Sequence, residues 1–258
     1  GERCRLIGSG VFFLSDDVDI VVLLHDASET LECAYRRIAA RMGWEIAAPY
    51  STTGVNVIKG AFEGFQVDAQ IVSPAGGSDR GVRAIELTDM ILSHAAPGAA
   101  QRVERFHRWA ATAGLKGHAR CLLPGIACTI LAVVLGQDGG LRETIEALYL
   151  LLSQGDAPHL ALDEPHRKQN AWCRLAANTA PLSVIALGVN VCHRMTTATT
   201  RFVAIVAKHA LDARPEQLND PEYYRRALRE GAACAAVVRP TRSDSAGHRK
   251  RPASMPSG

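Results

Sequence analysis

The chain is short of the features that would place it in several large classes at once. Aromatic residues make up only 5% of its 258 positions, and no run reaches the roughly 18 to 20 uninterrupted apolar residues that a membrane-spanning helix requires. The best candidate, residues 121–135, is short and interrupted by Pro124 and Gly125, so no membrane partner is expected. The 7 cysteines include no C-x-x-C pair and are odd in number. That argues against a disulfide framework, a zinc ribbon or a disulfide-linked partner, and for a reducing compartment. His159, His166 and the Cys192-His193 pair have no second spaced pair and read as core or loop residues. There is no initiator Met and no secretory apolar segment at the start, so further chain is expected upstream.

The chain also lacks a basic body. Lys and Arg total 29 against 26 acidic residues, for a net charge of +3. Residues 238–258 hold Arg239, Arg242, Arg249, Lys250 and Arg251 against Asp244 alone, which leaves residues 1–237 slightly acidic. Attraction to nucleic acid must come from local patches or from this tail, because the body has no excess positive charge to displace counterions from phosphates. What the chain does have is 47% apolar and 21% charged residues, an ordinary globular composition that excludes collagen, coiled coil and wholesale disorder.

The first 75 residues alternate strand-like and helix-like patterns. DVDIVVLL, residues 17–24, is a β-branched run with carboxylates only at its start, as expected for a strand entering a buried sheet. Residues 28–43 begin at Ser28 and end at Gly43 with apolar residues at Leu31, Ala34, Ile38 and Met42, which predicts a helix. Strands are predicted over 54–59 and 65–72, joined by a connection at 60–64. The SPAGGSDRG stretch, residues 73–81, marks a boundary, after which helical periodicity dominates at 84–94, 100–113, 126–135, 141–153 and 196–211, with 220–237 the last ordered piece of a mainly helical half. The expected architecture is α+β: a mixed sheet with helices, then a mainly helical half. The tail, rich in Ser, Pro and basic residues, is expected to be disordered.

Residues two apart on a strand share a face, so Asp17 and Asp19 project together. In FQVDAQIV, Asp68 alternates with Val67 and Ala69 and supplies a third carboxylate from a strand. Hard divalent cations take oxygen ligands, and two such ions can stabilise both the attacking and the leaving oxygen of a phosphoryl displacement. Upstream, Gly8-Ser9-Gly10 is a small-residue turn in which backbone N–H groups can approach a phosphate. Each feature alone reads as a solvated turn or a wet strand face. Their order, Gly-Ser, then D-x-D with aliphatics, then a later strand Asp, carries the argument.

That ordered set resembles the nucleotidyltransferase (DNA polymerase beta-like) superfamily and, more narrowly, the eukaryotic poly(A) polymerases. Gly8, Ser9, Asp17, Asp19 and Asp68 fall on the superfamily pattern, and residues 54–71 are similar to the family's V-P-V-I-K and strand-Asp segment, with Val57 at a nucleotide-contacting position. GVRAIELTDMIL, the helix carrying Trp109, residues 180–199 and residues 218–237 are similar to further family blocks, so the likeness spans residues 6–237. The resemblance implies a nucleotidyltransferase palm over 1–75, a helical central domain over 76–237 and a basic tail over 238–258. It also implies the absence of the family's C-terminal RNA-binding domain.

The activity so implied is template-independent transfer of AMP from ATP to an RNA 3′ end, as in mRNA polyadenylation. Asp17, Asp19 and Asp68 would hold two Mg²⁺ or Mn²⁺ ions, with Asp68 nearest the attacking hydroxyl. Gly8 and Ser9 would contact the triphosphate, and Gly125 and Ile126 would complete the nucleotide site. His107 and Lys116, at the family's Lys and Tyr positions, would supply positive charge. RNA, ATP and mRNA 3′-processing factors are the implied partners, and the nucleus the implied location. The sequence departs from the family at His107, at Lys116, at Pro124 in place of the first glycine of a Gly-Gly turn, and in the seven-residue spacer between Ser9 and Asp17. These departures keep two other readings open: an inactive nucleotidyltransferase-fold protein that binds RNA or a partner, and another terminal transferase of the superfamily.

Overall fold

The computed structural model describes residues 3–13, 17–25, 28–46, 57–72, 79–117, 120–136, 139–153, 158–162 and 181–237. The expected boundary at 73–78 and the basic tail at 238–258 lie outside them. The sheet half begins with β1 (Arg3–Leu6) and a 3₁₀ turn (Gly8–Val11), followed by β2 (Asp17–Leu23), α1 (Leu31–Met42), β3 (Glu45–Ile46), β4 (Val57–Phe62) and β5 (Phe65–Val72). The strands form one mixed sheet in the order β1-β2-β5-β4-β3, in which only β2 and β5 run parallel.

The alternation of FQVDAQIV decides what each face of this sheet meets. Val22, Leu24, Ile58, Ala69 and Ile71 point to one face, where α1 covers them with Ala34, Tyr35, Ile38 and Ala39. On the other face Val21 and Val72 pack with Ile7 against Ala84 and Ile85 of α2 (Asp79–Ser93). Gly81 allows this approach, because a Cβ there would overlap Val72 Cγ2. The α1 helix starts at Thr30, whose hydroxyl accepts the Cys33 N–H, and not at the expected Ser28. It stops at Gly43, which takes the left-handed conformation at φ 65°. The connection expected over 60–64 is shorter: β4 continues through Phe62, and Glu63 and Gly64, both at positive φ, close a two-residue hairpin.

The second half is built from α3 (Ala99–Thr112), α4 (Gly125–Leu135), α5 (Leu141–Ser153), α6 (Thr197–Asp212) and α7 (Pro221–Val237). The helical periodicity located these to within a few residues. It missed a small sheet, β6 (His159–Ala161), β7 (Ser183–Ala186) and β8 (Val189–Asn190), whose β7–β8 hairpin turns at Leu187 and Gly188. No helix among the described residues is long and apolar enough to cross a membrane.

Trp109 is the centre of the helical core. It is fully buried among Phe106, Leu115, Ile130, Leu131 and Tyr224. Its Nε1 donates to the Tyr224 hydroxyl at 2.9 Å, and that hydroxyl donates to the Leu218 carbonyl at 3.2 Å. Burial pushes the Tyr224 phenol up to about 12. Replacing Tyr224 by Phe would leave a buried N–H and a buried carbonyl without partners. Tyr224→Phe is therefore expected to lower unfolding stability by about 1 to 3 kcal/mol and Trp109→Ala by about 3 to 5, measured by urea denaturation.

Candidate active site

The parallel register sets Asp19 directly opposite Asp68. Opposed residues on adjacent strands point the same way, with main chains about 4.8 Å apart, so the two carboxylates share one face of the sheet. That is the α2 face, but α2 covers only the far ends of the strands, over Val21 and Val72. Asp19 is exposed and Asp68 half-buried. Asp17 opens β2 opposite Gln66, and its side chain lies outside the described residues. On the next strand Lys59 is registered with Asp68, and its Nζ donates to both carboxylate oxygens at 2.7 and 3.0 Å. Val57, expected at the nucleotide, lies two residues before Lys59 and opposite Gln70. Lys59 is a charged group at this site to which the sequence reading gave no role, although it shares a strand face with Val57, which the resemblance selected.

The Gly-Ser turn stands beside these carboxylates. The Ile7 N–H donates to the Asp19 carbonyl at 3.1 Å, so the residues that follow emerge next to Asp19. Gly8 adopts φ 62°, a conformation that favours glycine. Its amide was expected to face a phosphate and instead donates to Thr88 Oγ1 at 3.1 Å. Thr88, 1% exposed, donates its hydroxyl hydrogen to the Ala84 carbonyl at 2.7 Å and accepts the Gly8 N–H as a second bond. The role left to Gly8 is the shape of the turn. Ser9 is half-buried, and its carbonyl accepts the Phe12 and Phe13 amides as the turn folds back. Phe12 and Phe13 then dock on the helical core, and the turn packs against α4.

At that junction the helical half presents positive charge. Helix α4 begins after Pro124 with no side chain capping its first amides, and Gly125 is exposed with Ile126 half-buried at its mouth. An uncapped helix N-terminus of this kind suits an anion. Pro124, the departure from the family's glycine, has extended dihedrals that any N-terminal cap position accepts. Lys116 is exposed and forms an isolated bridge with Leu123, which fixes it beside this terminus.

His107 corrects the expectation that both residues supply charge. It is 4% exposed and its ring packs edge-on against Phe13 at 5.2 Å. Burial, with Lys116 as the second cause, lowers its pKa to about 4, so it is neutral at physiological pH. The positive charge of the pair resides on Lys116, whose Nζ lies 3.2 Å from His107 Nδ1. The Cys192-His193 pair belongs to no group of three or more ligand-type side chains among the described residues; burial pushes the Cys192 thiol up to about 12, and His193 Nδ1 lies 3.0 Å from the Asn190 carbonyl.

The donor set on the sheet face fits a hard divalent cation: carboxylates on adjacent strands, one of them already neutralised by an ammonium. Among the described residues, no group of three or more His, Cys, Asp or Glu forms a ready metal cage. The acidic groups lie on the sheet beside the Gly-Ser turn, and the cation and the helix N-terminus belong to the loop and helix of the half on which that turn packs.

A scan against protein-family models finds no match, and neither does a search of the curated proteins by sequence. Solved structures do match. The chain is similar to a cytoplasmic RNA terminal U-transferase (14% identity, TM-score 0.57, covering 86% of this chain and 85% of that one). It is similar to E. coli MS115-1 CdnC solved with ATP (15% identity, TM-score 0.55, covering 88% and 82%). It is also similar to mtPAP in complex with UTP (13% identity, TM-score 0.54), of whose length it spans 64%. The fold is that of the nucleotidyltransferases.

The buried imidazole makes a pH prediction. Between about pH 4 and 6.5 the folded chain binds fewer protons at His107 than the unfolded chain, so this group's contribution is complete above 6.5 and is lost as pH falls towards 4. Its full size is about 3 kcal/mol. Denaturation of the wild type and of His107→Gln at pH 7.5 and 4.5 is expected to show a smaller acid-induced loss in the variant.

Proposed function

We propose that this chain is a template-independent RNA nucleotidyltransferase that adds AMP from ATP to RNA 3′ ends, the reaction of polyadenylation. The observation that carries the reading is the register of Asp19 against Asp68 on a sheet face that also borders the Gly8-Ser9 turn. The solved structures with ATP and UTP and the RNA terminal U-transferase support it at the level of the fold.

In this reading Asp17, Asp19 and Asp68 hold Mg²⁺ or Mn²⁺, which when bound lowers the charge repulsion around the reacting phosphate. Asp68 accepts or orients the proton of the RNA 3′-hydroxyl. The hydroxyl oxygen forms a bond to the α-phosphorus while the bond to the bridging oxygen breaks, and pyrophosphate leaves. Lys59 competes for the Asp68 oxygens and must yield them when the site is loaded. The turn at Ser9, the amides of Gly125 and Ile126, and Lys116 surround the triphosphate, and Val57 borders the nucleotide. Positioning and charge stabilisation supply most of the acceleration in such a transfer. The nucleus and mRNA 3′-processing factors belong to this proposal as expectations from the resemblance.

The test is incorporation of each labelled nucleoside triphosphate into a short oligo(A) RNA with Mg²⁺ or Mn²⁺. ATP-selective extension is expected, and Asp17→Ala, Asp19→Ala and Asp68→Ala should each reduce it by roughly 10³-fold or more. Selection of UTP or CTP would identify another terminal transferase. A folded chain with no extension and intact RNA binding would identify a binding protein.

A further inference from the structure

His107 occupies the point where three parts of the site meet, and its hydrogen bonds run in a single sense. An ammonium can only donate, so Lys116 Nζ, at 3.2 Å, gives its proton to His107 Nδ1. The neutral ring must then carry its own proton on Nε2, which faces Thr129 Oγ1 at 3.0 Å. The Thr129 hydroxyl passes its hydrogen to the Gly125 carbonyl at 3.3 Å. The chain of donors therefore begins at an exposed cation and ends in the first turn of α4. Phe13, four residues after Ser9, closes the remaining side of the ring.

We propose that His107 is a positioning residue that never touches the nucleotide: it holds the Lys116 ammonium at the N-terminus of α4, and Lys116 meets the triphosphate. The inference deepens the proposed function and rests on it.

Three features support it. At 4% exposure His107 has no surface to offer a phosphate, whereas Lys116 is exposed. The Lys116 backbone is itself pinned, through its bridge to Leu123, to the residue preceding Pro124 and Gly125. The neutral state of the ring, which its lowered pKa secures at physiological pH, keeps Nδ1 available as an acceptor. A lysine at position 107 would instead bury a second ammonium beside the first. The exposed cation of this pair stands on the loop, and the buried residue of the helix is its support.

The experiment measures binding of α,β-methylene-ATP with Mg²⁺ to the full chain by calorimetry, with melting temperatures recorded for every variant. Lys116→Met is expected to weaken binding by roughly tenfold or more. His107→Gln loses the Nδ1 acceptor and should approach that loss, whereas His107→Asn, whose Oδ1 falls near the Nδ1 position, should recover most of the affinity. Combining His107→Gln with Lys116→Met should weaken binding no further than Lys116→Met alone, because the two residues act as one unit. His107→Lys should bind more weakly than wild type, and long-range ¹H–¹⁵N spectra should show the Nε2–H tautomer. Additive losses, tighter binding by His107→Lys, or unchanged binding by Lys116→Met would overturn the inference while leaving the proposed function standing. Failure of the wild type to bind the analogue would overturn both.

Discussion

The parallel pairing of β2 with β5 is the constraint on which the rest of the molecule depends. Its register is held by apolar side chains, not by the carboxylates it aligns. Val18, Val22, Ala69 and Ile71 are buried on the α1 side, and a slip of one residue would drive Asp68 into that core. The cost of burying an unpaired carboxylate in apolar surroundings is far larger than any gain such a slip could offer. Packing on one face thus aims the acidic groups on the other. The same strand pairing fixes the end of β1, from which the Gly-Ser turn emerges next to Asp19. Thr88 of α2 then ties down the turn, and Arg5 pairs with Asp89 a residue further along the helix.

The helical half completes the site by supplying the opposite sign of charge. Trp109 and Tyr224 join α3 to α7 through a buried hydrogen bond. Two residues before Trp109, the same helix carries His107, which is also buried. The loop after α3 folds back so that Lys116 bridges to Leu123, and α4 begins with its amides uncapped. The glycine turn stands beside the carboxylates of the sheet and packs on α4, so groups of both signs of charge border it. Groups of both signs suit a ligand that combines phosphates with divalent cations, since each part can meet charge of the opposite sign.

Much of this arrangement was legible in the sequence because it follows from local periodicity. The strand over 65–72 was read to the residue, since apolar and polar side chains alternate without interruption, and the helices from 84 onwards were found from their apolar stripes. The β7–β8 hairpin escaped notice: SVIALGVN is short, β7 is buried on both sides, and its turn places Leu187 at positive φ, a position that propensity assigns to glycine or asparagine. Thr30, rather than Ser28, became the helix cap because only it stands three residues before Cys33.

The site shows the same division. Sequence order, through its likeness to the nucleotidyltransferase pattern, grouped Asp19, Asp68, Gly8 and Ser9 before any fold was known. Tertiary structure alone decided what each polar group does there. The Gly8 amide went to Thr88 because α2 packs that hydroxyl against the turn, and Lys59 came to Asp68 because β4 and β5 pair in that register. His107 lost its charge because α3, α4 and Phe13 exclude water from its ring. Residue type and spacing specify which groups are available for chemistry. Protonation, partner and direction depend on burial and on contacts between segments far apart in the chain, and these exist only once the chain has folded.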